Sequence, residues 1–402
     1  MSILGEQSAE SGFRGQMYIN DNIRNKITDD TMLRKFSVTN YKNFAETVCI
    51  DFTDTRKYDF NTECVKNGII NKAMVLGRNG IGKSNLGLAL FDISYTLTDN
   101  VPSPIQLQES SFLNGNSSEK FATFVYEFQQ GDDILRFEYR KNNPMNIIYE
   151  SLLINGRTVF ERNGNMPADY SGLKTIGIDT LQIKITNGPL SVLRFIYNNT
   201  VAKKDSPVSF IMDFVSRMLY FRSVQEGNQF IGFKNRSELI EPYIMSNGLV
   251  EDFQTFLHDM AGLDVRLHAA RVAGMQDVLV QKFKNRRVPF NDVSSSGTKA
   301  LMLFYYWMKH FSNISLLYMD EFDAYYHYEL AENVVRFVIA QDSFQTIFTT
   351  HNTDLVDNNL MRPDCYLILT EKGIRSLSER TMRELREGHN LRKLLRGGEF
   401  DD

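Results

Sequence analysis

Gly77-Arg78-Asn79-Gly80-Ile81-Gly82-Lys83-Ser84 fits the spacing GxxxxGK[ST]. Such a run dictates architecture as well as chemistry. Its glycines let consecutive backbone N–H groups converge on phosphate oxygens, and that works only if a strand delivers the loop and a helix leaves it with its positive end toward the anion. Both flanks are present. Ala73 to Leu76 is an apolar strand, and Asn85 to Leu97 places Leu86, Leu88, Ala89, Leu90 and Ile93 at helical spacing. Lys83 is expected to reach the β- and γ-phosphates, and Ser84 to ligate Mg²⁺.

A triphosphate cradle needs acids, and the second half of the chain has them. Leu316-Leu317-Tyr318-Met319-Asp320-Glu321 reads as an apolar strand ending in two carboxylates. That arrangement places one acid, Asp320, on the Mg²⁺ shell and the next, Glu321, beside the attacking water as general base. Around them the pattern is α/β: helix Thr298 to Phe311, strand Ser315 to Met319, helix His327 to Ala340, and strands Gln345 to Thr349 and Cys365 to Leu369.

Three further segments are more specific. Ser294-Ser295-Ser296-Gly297-Thr298-Lys299, opening a helix ahead of Asp320, resembles the ABC signature motif. Asp320-Glu321-Phe322-Asp323-Ala324-Tyr325-Tyr326-His327 resembles the joined Walker B and D-loop of the SMC, RecF and OLD branch of ABC ATPases, and Thr349-Thr350-His351-Asn352 resembles their switch histidine. With the opening LRKFSVTNYKNF they stand in the family's order, and the ending RPDCYLIL…HNLRKLLRGGEF is similar to stand-alone AAA-type ATPase subunits of bacterial anti-phage modules. The resemblance implies an ABC-type P-loop core with ATP and Mg²⁺ as cofactors. It also implies head-to-tail protomers, so that Ser295 and Gly297 of one chain complete the site built by Gly77 to Asn85 of the other. His351 would sense the γ-phosphate within its own chain. The signature departs from LSGGQ, and His327 stands where SMC-like proteins carry an aspartate; both features suit the OLD-like branch and slow turnover.

The resemblance implies a regulatory ATPase that dimerises, or forms a higher homo-oligomer, around ATP and controls a separately encoded effector, a nuclease or toxin, in anti-phage defence. A RecF/SMC-like DNA-repair or DNA-binding ATPase is the alternative, and the ATPase part of an OLD-type nuclease complex the weaker one. The stretch after His351 is too short for the metal-binding Toprim domain of OLD nucleases. A transporter subunit fits less well, and the lack of an NKxD sequence argues against GTP. As a Q-loop, Gln106 and Gln108 fit no better than a solvated linker, and Asp323 suits a helix cap as well as chemistry.

The expected organisation is an N-terminal extension (1–32), the first half of the ATPase core (33–98), an inserted antiparallel β subdomain (99–171), a helical insertion (172–290) and the second half of the core (291–402). Leu33 to Phe52 reads as a hairpin turning at Asn40 to Asn43, and Phe121 to Phe160 as two or three strands. At 402 residues, 42% hydrophobic and 23% charged, the chain can bury such a core. Its longest apolar run, Ala300 to Met308, is too short to span a bilayer, and residues 1–30 lack the apolar stretch of a secretion signal, so a cytoplasmic protein without membrane contact is expected. Cys49, Cys64 and Cys365 lack metal-ligand spacing and read as core filler. A net charge of −4 argues against a surface that coats nucleic acid, yet leaves nucleic acid open as a partner through two basic clusters. These are Lys282, Lys284, Arg286 and Arg287 before the signature, and Arg380, Arg383, Arg386, Arg392, Lys393 and Arg396 on a C-terminal segment read as a salt-bridged helix.

Overall fold

The computed structural model describes residues 31–100, 104–164, 166–178, 181, 183–185, 187–200, 206–222, 230–233, 239–270 and 278–401. All but the end of the expected N-terminal extension lies outside them.

In chain order the strands are β1 (Thr31–Thr39), β2 (Val48–Asp51), β3 (Val65–Lys66), β4 (Ile69–Ile70), β5 (Lys72–Leu76), β6 (Ala122–Gln130), β7 (Asp133–Asn143), β8 (Asn146–Ile154), β9 (Arg157–Asn163), β10 (Met218–Arg222), β11 (Phe230–Gly232), β12 (Leu267–Ala270), β13 (Val278–Lys282), β14 (Arg287–Pro289), β15 (Leu316–Asp320), β16 (Gln345–Thr350), β17 (Tyr366–Thr370) and β18 (Gly373–Ser376). The helices are α1 (Lys83–Leu90), α2 (Asp92–Leu97), α3 (Val192–Asn199), α4 (Pro207–Ser216), α5 (Ile240–Ser246), α6 (Val250–Ala261), α7 (Phe290–Val293), α8 (Ser296–Met308), α9 (Tyr328–Ile339) and α10 (Leu391–Arg396).

Two sheets organise these elements. A seven-stranded sheet runs β11-β10-β15-β16-β5-β17-β18, and its five central strands are parallel. Every residue of β5, β15 and β16 is buried, as expected of parallel strands covered on both faces. A six-stranded antiparallel sheet runs β2-β1-β6-β7-β8-β9. There β6 alternates buried with half-buried residues through Phe128, the signature of a sheet with one face on the core.

The topology differs from the sequence expectation in three ways. The antiparallel strands are four, and they do not stand alone: β6 pairs with β1 over Thr31 to Thr39, so the N-terminal hairpin and this sheet are one unit. The helical insertion holds helices α3 to α6, but β10, which follows α4, belongs to the parallel sheet beside β15. The helix expected over Asn85 to Leu97 breaks at Phe91, whose backbone (φ −92, ψ 2) ends α1 before α2 begins.

Smaller corrections follow. Cys49 is exposed, unlike the buried Cys64 and Cys365. The C-terminal basic residues share no single helix: only Leu391–Arg396 is helical, and Arg392 and Arg396 pair with Asp354. Tyr305, Tyr306 and Trp307 are buried as expected, with Trp307 ringed by Phe221, Phe230 and Phe233. No described helix is long and apolar enough to cross a membrane.

Candidate functional site

Parallel α/β sheets bind ligands beyond the carboxyl ends of their strands. Here that edge gathers Leu76 and the loop after it, Asp320, Thr350 and Arg222. The loop passes directly from β5 into α1, as the motif requires. Gly80 (φ +79) and Gly82 (φ +113) take left-handed backbone that side chains disfavour. Gly82 has a second reason to lack a side chain, because a Cβ there would overlap the Asn43 carboxamide.

Asn43, which the sequence places only in the hairpin turn, braces the loop. It donates to Ile81 O at 2.7 Å and accepts from Asn85 Nδ2 at 2.7 Å, so the β1–β2 turn clasps the loop at Gly82. Lys83 is buried, and its ammonium donates to Gly77 O at 2.7 Å, folded back over the cradle. Burial lowers its pKa, while the nearby charges of Glu321, Asp320 and Asp323 act in the opposite sense. Tyr318 fastens the helix to the acid-bearing strand by donating to Lys83 O at 2.7 Å.

The two acids are held unequally. Asp320 is fully buried; its Oδ1 accepts from Thr349 Oγ1 at 2.7 Å and its Oδ2 from Tyr220 Oη at 3.0 Å. Glu321 takes left-handed backbone (φ +47), a conformation costly for a residue with a side chain and common where function demands a particular aim. Its N–H donates to Thr349 Oγ1 at 2.9 Å, so a single hydroxyl fixes both acids. Arg222 completes the cluster: Nη2 donates to Glu321 Oε2 at 2.9 Å, and Nε lies 3.3 Å from Asp320 Oδ2. The sequence pattern places Thr349 only within the switch segment and singles out neither Tyr220 nor Arg222.

Thr350, next on β16, donates to Asp323 Oδ2 at 2.8 Å, and burial raises the Asp323 pKa. Asp323 therefore ties the D-loop to the switch segment. The helix cap, one of the two readings of Asp323, belongs to His327, whose Nδ1 accepts from Leu330 N at 3.2 Å. His351 is exposed and lines a cleft of about 810 Å³ shared with Gly77, Arg78 and Asn79 and walled by Leu395 and Phe400.

The signature segment lies at the start of α8. Ser295 is exposed and caps that helix, its Oγ accepting from Thr298 N at 3.1 Å. Gly297 sits so close to the D-loop that a Cβ would come within 2.9 Å of Tyr325 O. Gly297 thus adjoins the D-loop of its own chain. Of the Q-loop candidates, Gln106 is buried and Gln108 exposed; the charged side chain that pairs with both carboxylates is Arg222.

A carboxylate and a hydroxyl, as Asp320 and Ser84 carry, are hard oxygen donors of the kind that suits Mg²⁺. Among the described residues no cluster of three or more His, Cys, Asp or Glu could hold a metal unaided.

A family model described as "AAA domain, putative AbiEii toxin, Type IV TA system" matches residues 72–357. Among solved structures the chain is similar to the SMC head domain from Thermotoga maritima, at 14% identity over 86% of this chain and 97% of that one, with a TM-score of 0.42. It is also similar to the Smc head domain with an extended coiled coil bound to the C-terminal domain of ScpA derived from Pyrococcus furiosus, at 13% identity over 86% and 96% of the two chains, with a TM-score of 0.42. No curated protein matches.

Proposed function

Since the chain belongs to that AAA-domain family, we propose that it binds Mg²⁺–ATP on Gly77 to Asn85 and hydrolyses it slowly, using Glu321 as general base. The observation that carries this reading is the meeting of the loop and both acids at one sheet edge, where buried Lys83 feels Glu321, Asp320 and Asp323. The loop's N–H groups and the α1 N-terminus receive the phosphates, and Lys83 leaves Gly77 O for them. Ser84 and Asp320 would hold Mg²⁺, which would supply neutralisation of the developing phosphate charge. Glu321 takes the proton of the attacking water, its aim set by the left-handed backbone and by Thr349. His351 senses the γ-phosphate across the cleft it shares with Arg78 and Asn79.

We further propose that the site is completed by a second copy of the chain. Exposed Ser295 and half-buried Gly297 present the α8 N-terminus to a partner's phosphates, and the hydroxyl already caps that helix. Mixing Lys83→Ala with Ser295→Arg tests this, because each mixed pair then holds one intact composite site. Each variant alone is expected to be inactive and the mixture to regain turnover; a mixture as inactive as its parts contradicts the shared site. In this reading the ATP-closed dimer controls a separately encoded nuclease or toxin in anti-phage defence.

One observation favours the DNA-binding alternative. Lys282, Lys284, Arg286 and Arg287 are all exposed on and around the β13–β14 hairpin. That alternative predicts ATP-dependent duplex binding that weakens steeply with salt and is lost on replacing these four by Ser.

A further inference from the structure

The next step rests on reading Asp320 and Glu321 as the acids of an Mg²⁺–ATP site. Arg222 is the last residue of β10, and the parallel register sets it opposite Asp320. Its guanidinium spans both acids, donating to Glu321 Oε2 at 2.9 Å with Nε 3.3 Å from Asp320 Oδ2. Tyr220 Oη reaches that same Asp320 oxygen, while Thr349 takes the other. The Asp320 side chain has no exposed surface; those of Arg222 and Glu321 are 26% and 28% exposed. A single cation therefore answers two neighbouring carboxylates, and it stands where the sheet edge opens to solvent.

A divalent cation binding Asp320 would do so within reach of this guanidinium. The two compete for the same carboxylates, and in a partly dry site a neighbouring positive charge weighs heavily against a second one. The planar fork of arginine matches phosphate as well as carboxylate, so an incoming triphosphate offers Arg222 another anion. We propose that Arg222 is the countercharge of the nucleotide-free site. It holds Asp320 and Glu321 against divalent cations until a polyphosphate arrives, which makes metal and nucleotide bind as a pair. Arg222 is in this sense a positioning residue: it acts through the two acids.

The test compares the intact chain with Arg222→Gln and Arg222→Lys. Free Mn²⁺ binding is measured by electron paramagnetic resonance with and without ATP, and ATP binding by a fluorescent analogue. In wild type, ATP is expected to raise Mn²⁺ affinity strongly. Arg222→Gln is expected to bind Mn²⁺ without nucleotide roughly tenfold more tightly and to lose a similar factor of the ATP-to-Mn²⁺ coupling. Arg222→Lys keeps the charge, so its nucleotide-free Mn²⁺ affinity is expected to stay near wild type. A strut that only joins β10 to β15 would lower the melting temperature and leave both affinities unchanged. A folded Arg222→Gln with wild-type Mn²⁺ affinity overturns the proposal. Should that variant not fold, a tenfold gain in Arg222→Lys overturns it equally. Failure of the underlying site looks different: wild type would not bind the ATP analogue, or Lys83→Ala would bind it as well as wild type does.

Discussion

Two charge clusters adjoin the helical run that follows the P-loop, and they are built to opposite ends. In one, Lys141 donates to Asp92 Oδ1 at 2.7 Å, to Tyr95 Oη at 2.9 Å and to Thr96 Oγ1 at 2.8 Å. Tyr95 and Tyr139 close the remaining side by donating to Asp92, and the two charged side chains are 2% and 3% exposed. All three ammonium protons have acceptors, so nothing is left to bind. In the other, Arg222 joins one dry carboxylate to one facing solvent, and the backbone under Glu321 is strained. The first cluster fixes α2 against β7; the second keeps acids ready for a ligand. Equal chemistry, sealed or open, separates structure from function.

The largest expected effect breaks the sealed cluster. Lys141→Met leaves Asp92 buried without its cation and should cost about 3–5 kcal/mol in urea unfolding, while converting Asp92 to Leu in the same protein should restore much of it. A single-variant loss below about 1 kcal/mol would show that the cluster is not the lock described. Thr349→Val strikes the open cluster. It strands the Glu321 N–H and frees one Asp320 oxygen, so a loss of about 1–3 kcal/mol is expected, with turnover falling further than stability explains. Unfolding and ATPase assays on the same preparation would separate the two losses.

Lys72 sharpens the contrast from the other side. It is fully buried at the start of β5, and a backbone carbonyl, Phe344 O, and the Phe344 ring meet it in place of a carboxylate. Burial lowers its pKa to about 7 from 10.5. The folded state therefore binds fewer protons than the unfolded state between those values, and stability should rise with pH from about 7 toward 10 by about 1 kcal/mol per unit. The advantage of Lys72→Met over wild type should accordingly be greatest at neutral pH and shrink as the pH is raised. A pH-independent difference would show that Lys72 is charged in the fold.

What could be read from the sequence divides along the same line. The loop Gly77 to Ser84, the strand ending in Asp320 and Glu321, and the segment around His351 rest on short local patterns whose chemistry dictates their spacing. Arg222 did not stand out, because MLYFR is a short apolar run beside a helical face, and strand cannot be told from helix there by periodicity. Its partnership with Asp320 comes from the β10–β15 register, which no local pattern encodes. The union of β1 with β6 is likewise non-local. Asn43 was in view, but only the closeness of Gly82 gives it a task. His327, and not Asp323, caps the following helix, because a histidine nitrogen can accept from a backbone N–H as a carboxylate does.

The central claim is that the acids at this sheet edge hydrolyse ATP held by the loop. Glu321→Gln tests it most directly, by following labelled ATP on the purified protein. The account predicts that the variant binds ATP at least as well as wild type, keeps it unhydrolysed, and loses turnover by about a hundredfold or more. Wild-type turnover in Glu321→Gln would contradict it.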